Sequence, residues 1–240
     1  MILDLYGVLV DPDETKRQYR RRLAAILRRD YGGDEGEWAR AYDAAHGAST
    51  VAVSRRGSVT NDYDASLRAA DELWLDTLFR AVLRRRPDGE ARVIVGRLEE
   101  EVFNGLDASY PGTVGLLAEL EGMGVELCVA TGARLAQARQ ALRAGGLHRH
   151  VHSILSAEMA GSRKSDDAFW SQAFSSLRRS PPDCVVVDDK VDYLAPAARA
   201  GAYAVWLHRH GMSWNSPRFK LAATLEGLQG LPAFLRRVGV

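Results

Sequence analysis

Apolar residues follow three regimes along the chain. The first ten residues, Met1-Ile2-Leu3-Asp4-Leu5-Tyr6-Gly7-Val8-Leu9-Val10, form a nearly unbroken apolar run interrupted by one carboxylate. That is the pattern of a strand buried on both faces and followed by a turn. From residue 14 to about 104 the apolar positions recur at steps of three and four. Tyr19, Leu23, Ile26 and Leu27 mark a helix over 13–29. Helical patterns follow over 35–45 and 62–85, then the turn Pro87-Asp88-Gly89, then a helix over 90–103 carrying Val93, Val95, Leu98 and Val102. Beyond 105, after a helix over 113–123, short apolar runs alternate with helical stretches. Strands are predicted at 125–130, 151–155, 184–187 and 202–207, with helices at 133–144, 166–178 and 193–200. Such alternation implies right-handed crossovers and an α/β fold, a Rossmann-like parallel sheet with helices on both faces. The first strand in sequence is expected at its centre. The predicted division is a core of 1–13 and 105–240 interrupted by a helical module over 14–104. Ser49–Asn61 has no clear period, and its Arg55-Arg56-Gly57 reads as an exposed basic turn.

Composition narrows the function classes more than the fold. With 46% hydrophobic and 26% charged residues in 240, the chain suits one well-buried core plus a smaller module. A net charge of +1 gives no bulk electrostatic case for nucleic acid or an anionic membrane surface. No apolar run reaches membrane-spanning length and no signal peptide precedes the first strand, so a cytoplasmic location is expected. Only three residues precede Asp4, short even for a buried strand, which leaves room for a start upstream. Cys128 and Cys184 fall inside apolar runs, where a buried, reduced pair is expected unless their strands are neighbours. Trp38, Trp74, Phe79 and Trp170 sit at helical spacing and read as core, leaving monomer and homodimer both open. The alternating His148, His150 and His152 read as a loop remote from the chemistry rather than a metal cluster. Lysine is scarce, at positions 16, 164, 190 and 220, which makes Lys164 and Lys190 conspicuous.

The chemistry lies where strands end. Asp4 closes the first apolar run, at the carboxyl edge where open α/β sheets bind ligands. The second strand runs into Thr131-Gly132, Lys164 stands in Gly161-Ser162-Arg163-Lys164-Ser165-Asp166 before a helix, and Val185-Val186-Val187 runs into Asp188-Asp189. Adjacent carboxylates after a buried strand are costly unless a cation shares them. Side-chain alternation leads one to expect only one of the two to point at Asp4.

Taken in order, these four motifs resemble those of the haloacid dehalogenase-like (HAD) hydrolase superfamily. Tyr110-Pro111-Gly112 with the helix after it, Ala197-Ala198-Arg199-Ala200-Gly201, and Leu225 to Leu235 are similar to further family landmarks. The resemblance implies a HAD fold in which residues 14–104 are a helical cap that closes over the site and selects a small anionic substrate. Arg55-Arg56-Gly57 would then be a cap loop reaching that anion, as the alternative to a plain basic turn. It implies Asp4 as covalent nucleophile, Thr131 and Gly132 as ligands of the transferring group, and Lys164 as the fixed cation beside both. It also implies Mg²⁺ held by Asp4, Asp189 and the backbone carbonyl of Tyr6, with Asp188 beside them where the family often has Gly.

One departure divides the family's chemistries. HAD phosphatases carry a second Asp two residues after the nucleophile as general acid and base, and this chain has Tyr6. A phenol can donate a proton but is a poor base near neutrality. Asp-x-Tyr-Gly is instead what L-2-haloacid dehalogenases show, and those enzymes need no metal; Lys190 could then partly neutralise the carboxylate pair. The first motif points to a dehalogenase and the fourth to a Mg²⁺ phosphohydrolase. The fourth is weighted more heavily, because paired carboxylates opposite a nucleophile call for a cation. A catalytically degenerate HAD-fold binding protein is the third reading.

Overall fold

In the computed structural model, which describes residues 1–56, 63–209 and 218–239, the chain divides into two units, Met1–Pro12 with Asp107–Val240 and Asp13–Leu106. Along the chain the elements are β1 (Ile2–Leu3), α1 (Pro12–Tyr31), α2 (Glu35–Arg56), α3 (Tyr63–Leu83), α4 (Ala91–Phe103), α5 (Thr113–Gly122), β2 (Cys128–Thr131), α6 (Leu135–Ala144), β3 (Ser153–Ser156), α7 (Ala157–Ala160), α8 (Asp167–Leu177), β4 (Val185–Asp188), α9 (Val191–Arg199), β5 (Tyr203–Leu207), β6 (Ala223–Leu225) and α10 (Leu231–Val238). No helix among the described residues is long and apolar enough to cross a membrane.

The first unit is a six-stranded parallel sheet in the order β3-β2-β1-β4-β5-β6. As expected of the pattern, β1 lies centrally, and its two residues are buried on both faces. It is short because the chain turns immediately: Gly7 takes φ +94°, and Leu9 and Val10 donate their N–H groups back to the Leu5 carbonyl at 2.9 and 2.8 Å. β2 starts at Cys128 rather than 125, because Val125 donates to the carbonyl of Leu120 and so closes the end of α5 instead of pairing. The sixth strand was not legible in the sequence; its three residues are partly exposed and too short to show a period.

The second unit is helical. α1 opens with Pro12, whose missing N–H costs nothing in a first turn, and carries Asp13 and Glu14 at its positive end and Arg28 and Arg29 at its negative end. Tyr19 packs on Tyr42 and Phe103 with ring centroids 5.3 and 5.5 Å apart, and Phe79 is met edge-on by Tyr31 and Trp38. Trp38, Trp74 and Phe79 are buried, as their spacing predicts. α2 runs eleven residues past the expected end near 45. The hydroxyls of Ser49 and Thr50 donate to the His46 carbonyl at 3.1 and 2.8 Å, so these polar side chains are satisfied within the helix and do not end it. Gly57 and the side chains of Arg55 and Arg56 lie outside the described residues, and with them the basic-turn reading.

Candidate functional site

Hydrogen-bond register brings the strand ends to one level. Leu3 lies opposite Val129 on one side and Val187 on the other, so the next rank across the sheet is Ala130, Asp4 and Asp188, with Trp206 beside Asp188 on β5. Asp4 keeps its place in the ladder by donating its N–H to Val187 O at 2.9 Å.

Lys164 completes this rank from the loop between α7 and α8. Its side chain is only 1% exposed, and its Nζ lies 2.7 Å from Asp4 Oδ1, 2.6 Å from the Ala130 carbonyl and 2.6 Å from Asp188 Oδ2. A solvated helix-start lysine is thereby excluded: a buried ammonium persists only with partners of this quality. The backbone carbonyl of Lys164 accepts the indole N–H of fully buried Trp170 at 2.9 Å, which fixes the loop.

The strand ends at Asp188 and the chain turns there, so alternation no longer separates the two carboxylates. The expectation that one alone would face Asp4 is corrected: oxygens from Asp4, Asp188 and Asp189 all lie within 4.8 Å of one another. Their surroundings differ. Asp188 Oδ1 accepts the Lys190 N–H at 2.8 Å, and Oδ2 faces Lys164. Asp189 Oδ1 is buried with no hydrogen-bond donor among the described residues. A Cβ on Gly7 would stand 2.3 Å from Asp189 Oδ2, so the turn after Asp4 and the turn after β4 touch directly.

Burial dominates the titration of this cluster. It pushes Asp4 up to about 6 despite the pull of Lys164, and it raises Asp188 and, with the repulsion of Asp4 added, Asp189. Burial alone would lower Lys164, yet Asp188 and Asp4 hold it above the ordinary lysine range. When all are ionised, three carboxylates face one buried ammonium. Such an excess favours a bound cation.

Thr131 is buried as the last residue of β2, inside the strand rather than after it, and its Oγ1 accepts the Ala133 N–H at 3.1 Å. Gly132 follows it, exposed. Tyr6 is half-buried, with a backbone bridge to Val10. Among the described residues the group of three His, Cys, Asp or Glu placed to hold a metal is Asp4, Asp188 and Asp189, and in the His148–His152 run His150 Nδ1 pairs with Glu121 at 2.6 Å. Cys128 and Cys184 are buried and free, on strand runs separated by β1.

Sequence reasoning missed what supports this site. Trp206 donates its indole N–H to the Asp189 carbonyl at 3.0 Å, Arg209 donates to the Gly7 and Val8 carbonyls, and Glu158 accepts the first N–H of α6 at 3.1 Å. Their side chains act on backbone groups, which leaves no motif to read.

The family model for haloacid dehalogenase-like hydrolases matches residues 1–201. The chain belongs to this family. The HAD-like chain is 30% identical over 105 residues to phosphatase MT3486 of Mycobacterium tuberculosis (strain CDC 1551 / Oshkosh), 43% of this chain and 48% of that protein. It spans only 33% to 48% of the length of the curated relatives it matches. Its fold is similar to that of a 2-haloacid dehalogenase from Pseudomonas syringae pv. Tomato DC3000, at TM-score 0.70 and 21% identity over 99% of this chain and 98% of that one. It is also similar to the magnesium-bound putative HAD-hydrolase YfnB from Bacillus subtilis, at TM-score 0.67 and 16% identity over 100% and 97%. Dehalogenase and magnesium-bound neighbours thus share the HAD fold, and the fold does not choose between them.

Proposed function

We propose that this HAD-like hydrolase is a Mg²⁺-dependent phosphohydrolase acting on a small phosphorylated metabolite, with Asp4 as nucleophile and residues 14–104 as the substrate-selecting cap. The observation that carries this reading is the carboxylate excess: three clustered acids, one ammonium that already has three acceptors, and a buried Asp189 oxygen with no donor among the described residues. Hard oxygen donors suit Mg²⁺, which takes few protein carboxylates and keeps several waters. Asp189 and Asp4 are the carboxylate ligands in this assignment, with the Tyr6 carbonyl as third. Asp188 Oδ1 accepts the Lys190 N–H and Oδ2 is ion-paired with Lys164 at 2.6 Å, so Asp188 serves the lysine first and the metal at most secondarily.

In the proposed reaction an Asp4 oxygen attacks phosphorus, the bond from phosphorus to the leaving oxygen breaks, and an aspartyl phosphate forms. Water then attacks that phosphorus, releasing phosphate and restoring the carboxylate. Lys164 holds Asp4 ionised and offsets charge as it builds on the phosphoryl group. Thr131 Oγ1 accepts from Ala133, and its hydroxyl can also donate its proton to a phosphoryl oxygen. Mg²⁺ held by Asp4, Asp189 and the Tyr6 carbonyl would supply Lewis-acid stabilisation of the same group. Tyr6 is the weak member, able to protonate a leaving oxygen but poor at activating water.

Tyr6 also favours a second reading, a metal-independent L-2-haloacid dehalogenase, in which Asp4 attacks the halogen-bearing carbon and halide leaves. Assaying one preparation with and without EDTA against phosphate monoesters and L-2-haloacids separates them. Metal-dependent phosphate release is expected. Halide release insensitive to EDTA would replace the proposal with the dehalogenase, and no turnover on either panel would leave a binding protein.

A further inference from the structure

Two side chains at the end of β5 grip the backbone of both turns that carry the acids. Trp206, in register with Asp188, donates its indole N–H to the carbonyl of Asp189 at 3.0 Å. Arg209, two residues beyond β5, donates from Nε to Gly7 O and from a terminal nitrogen to Val8 O, both at 3.1 Å. Its guanidinium carbon lies over the Tyr110 ring, 3.7 Å from the centroid. These contacts share a purpose that their separate strengths do not suggest. The turn after Asp4 holds Gly7 so close to the Asp189 carboxylate that a methyl group would not fit. Two hydrogen bonds from one guanidinium hold the carbonyls of that turn at this close approach.

We infer that Arg209 is a positioning residue, a clamp that sets the height of the Leu5–Val10 turn against Asp189 and so fixes the spacing of the acids. The assignment rests on the reading of Asp4 and Asp189 as nucleophile and metal ligand. Arginine suits the task and lysine does not: a planar fork reaches two successive carbonyls while its face stacks on an aromatic ring. The guanidinium spends these donors on backbone carbonyls, so its effect on chemistry is exerted through the turn.

The test uses the full-length protein and Arg209→Ala, with Arg209→Lys as the second variant should the first fail to fold. Hydrogen exchange of the peptide covering residues 5–10 is expected to quicken in either variant, while that covering 184–188 stays unchanged. Mg²⁺ affinity by calorimetry and turnover of para-nitrophenyl phosphate should each fall about 10–100-fold, the range for residues that orient metal ligands. KM should change little, and added methylguanidinium should restore turnover in Arg209→Ala, a rescue that general loosening of the fold would not show. Unchanged exchange at 5–10 overturns the clamp whatever the metal does. Quickened exchange with wild-type Mg²⁺ affinity and turnover overturns its role at the site. Failure of the underlying reading looks different: wild-type protein would bind no Mg²⁺, and Asp4→Asn would retain activity.

Discussion

Asp4 is a buried acid held near its titration point. Burial raises it from an ordinary aspartate value to about 6, against the pull of Lys164, so it is mostly ionised at neutral pH and protonated in mild acid. Because the folded state binds this proton more tightly than the unfolded chain, protonated Asp4 contributes stability that is full below about pH 4 and lost as pH rises through 6. Metal-free protein in EDTA should therefore show a component of unfolding free energy that declines between about pH 4 and 6, and Asp4→Asn should remove it. Urea titrations across that range check this, and an identical pH profile in the variant would refute it. The same substitution keeps the side-chain volume and should abolish hydrolysis while the fold persists. At Tyr6 the two chemistries part. If the site is a phosphohydrolase lacking its acid and base, Tyr6→Asp should raise phosphatase turnover, since such proton transfer is typically worth ~10²–10⁴-fold. In a dehalogenase the added carboxylate would repel the anionic substrate, and halide release should fall instead.

At the scale of elements, what the sequence made legible was what each strand buries. Val185-Val186-Val187 and the run at Met1 announce strands covered on both faces, and their parallel alternation with helices places β1 centrally, with Asp4, Ala130 and Asp188 at one level. Strand ends were less legible, because they depend on backbone bonds that no side chain reports: Val125 closes α5, and Ser49 and Thr50 bond within α2. The expectation that only one of Asp188 and Asp189 would face Asp4 failed because alternation holds only while a strand continues, and β4 stops at Asp188. Where these elements meet, Gly7 carries two constraints at once, a left-handed backbone and no room for a Cβ beside Asp189. Gly7→Ala should cost about 1–2 kcal/mol from the backbone alone, and displacement of the Asp189 carboxylate should weaken Mg²⁺ binding as well. A variant with wild-type stability and metal affinity would show that the two turns are not in the contact described.

For the whole molecule, the question is which cation balances the acids at the sheet's edge. Lys164 is built into the fold with three acceptors, whereas Asp189 Oδ1 has no donor among the described residues. A metal that binds only the native state transfers its binding free energy to stability, about 2.7 kcal/mol at a hundred times Kd. Mg²⁺ should accordingly raise Tm in proportion to the logarithm of its concentration once above Kd. The gain should be greater at pH 7 than at pH 5, because the metal competes with the proton that burial favours on Asp4. Asp189→Asn should abolish most of the gain while raising the Tm of the metal-free protein, since it removes one of the repelling carboxylates. Those two shifts in opposite directions are not expected of a site whose acids are balanced by Lys164 and Lys190 alone. A Tm unmoved by millimolar Mg²⁺ at pH 7, in protein that releases halide from L-2-haloacids, would instead place the chain's chemistry on the metal-free side of its family.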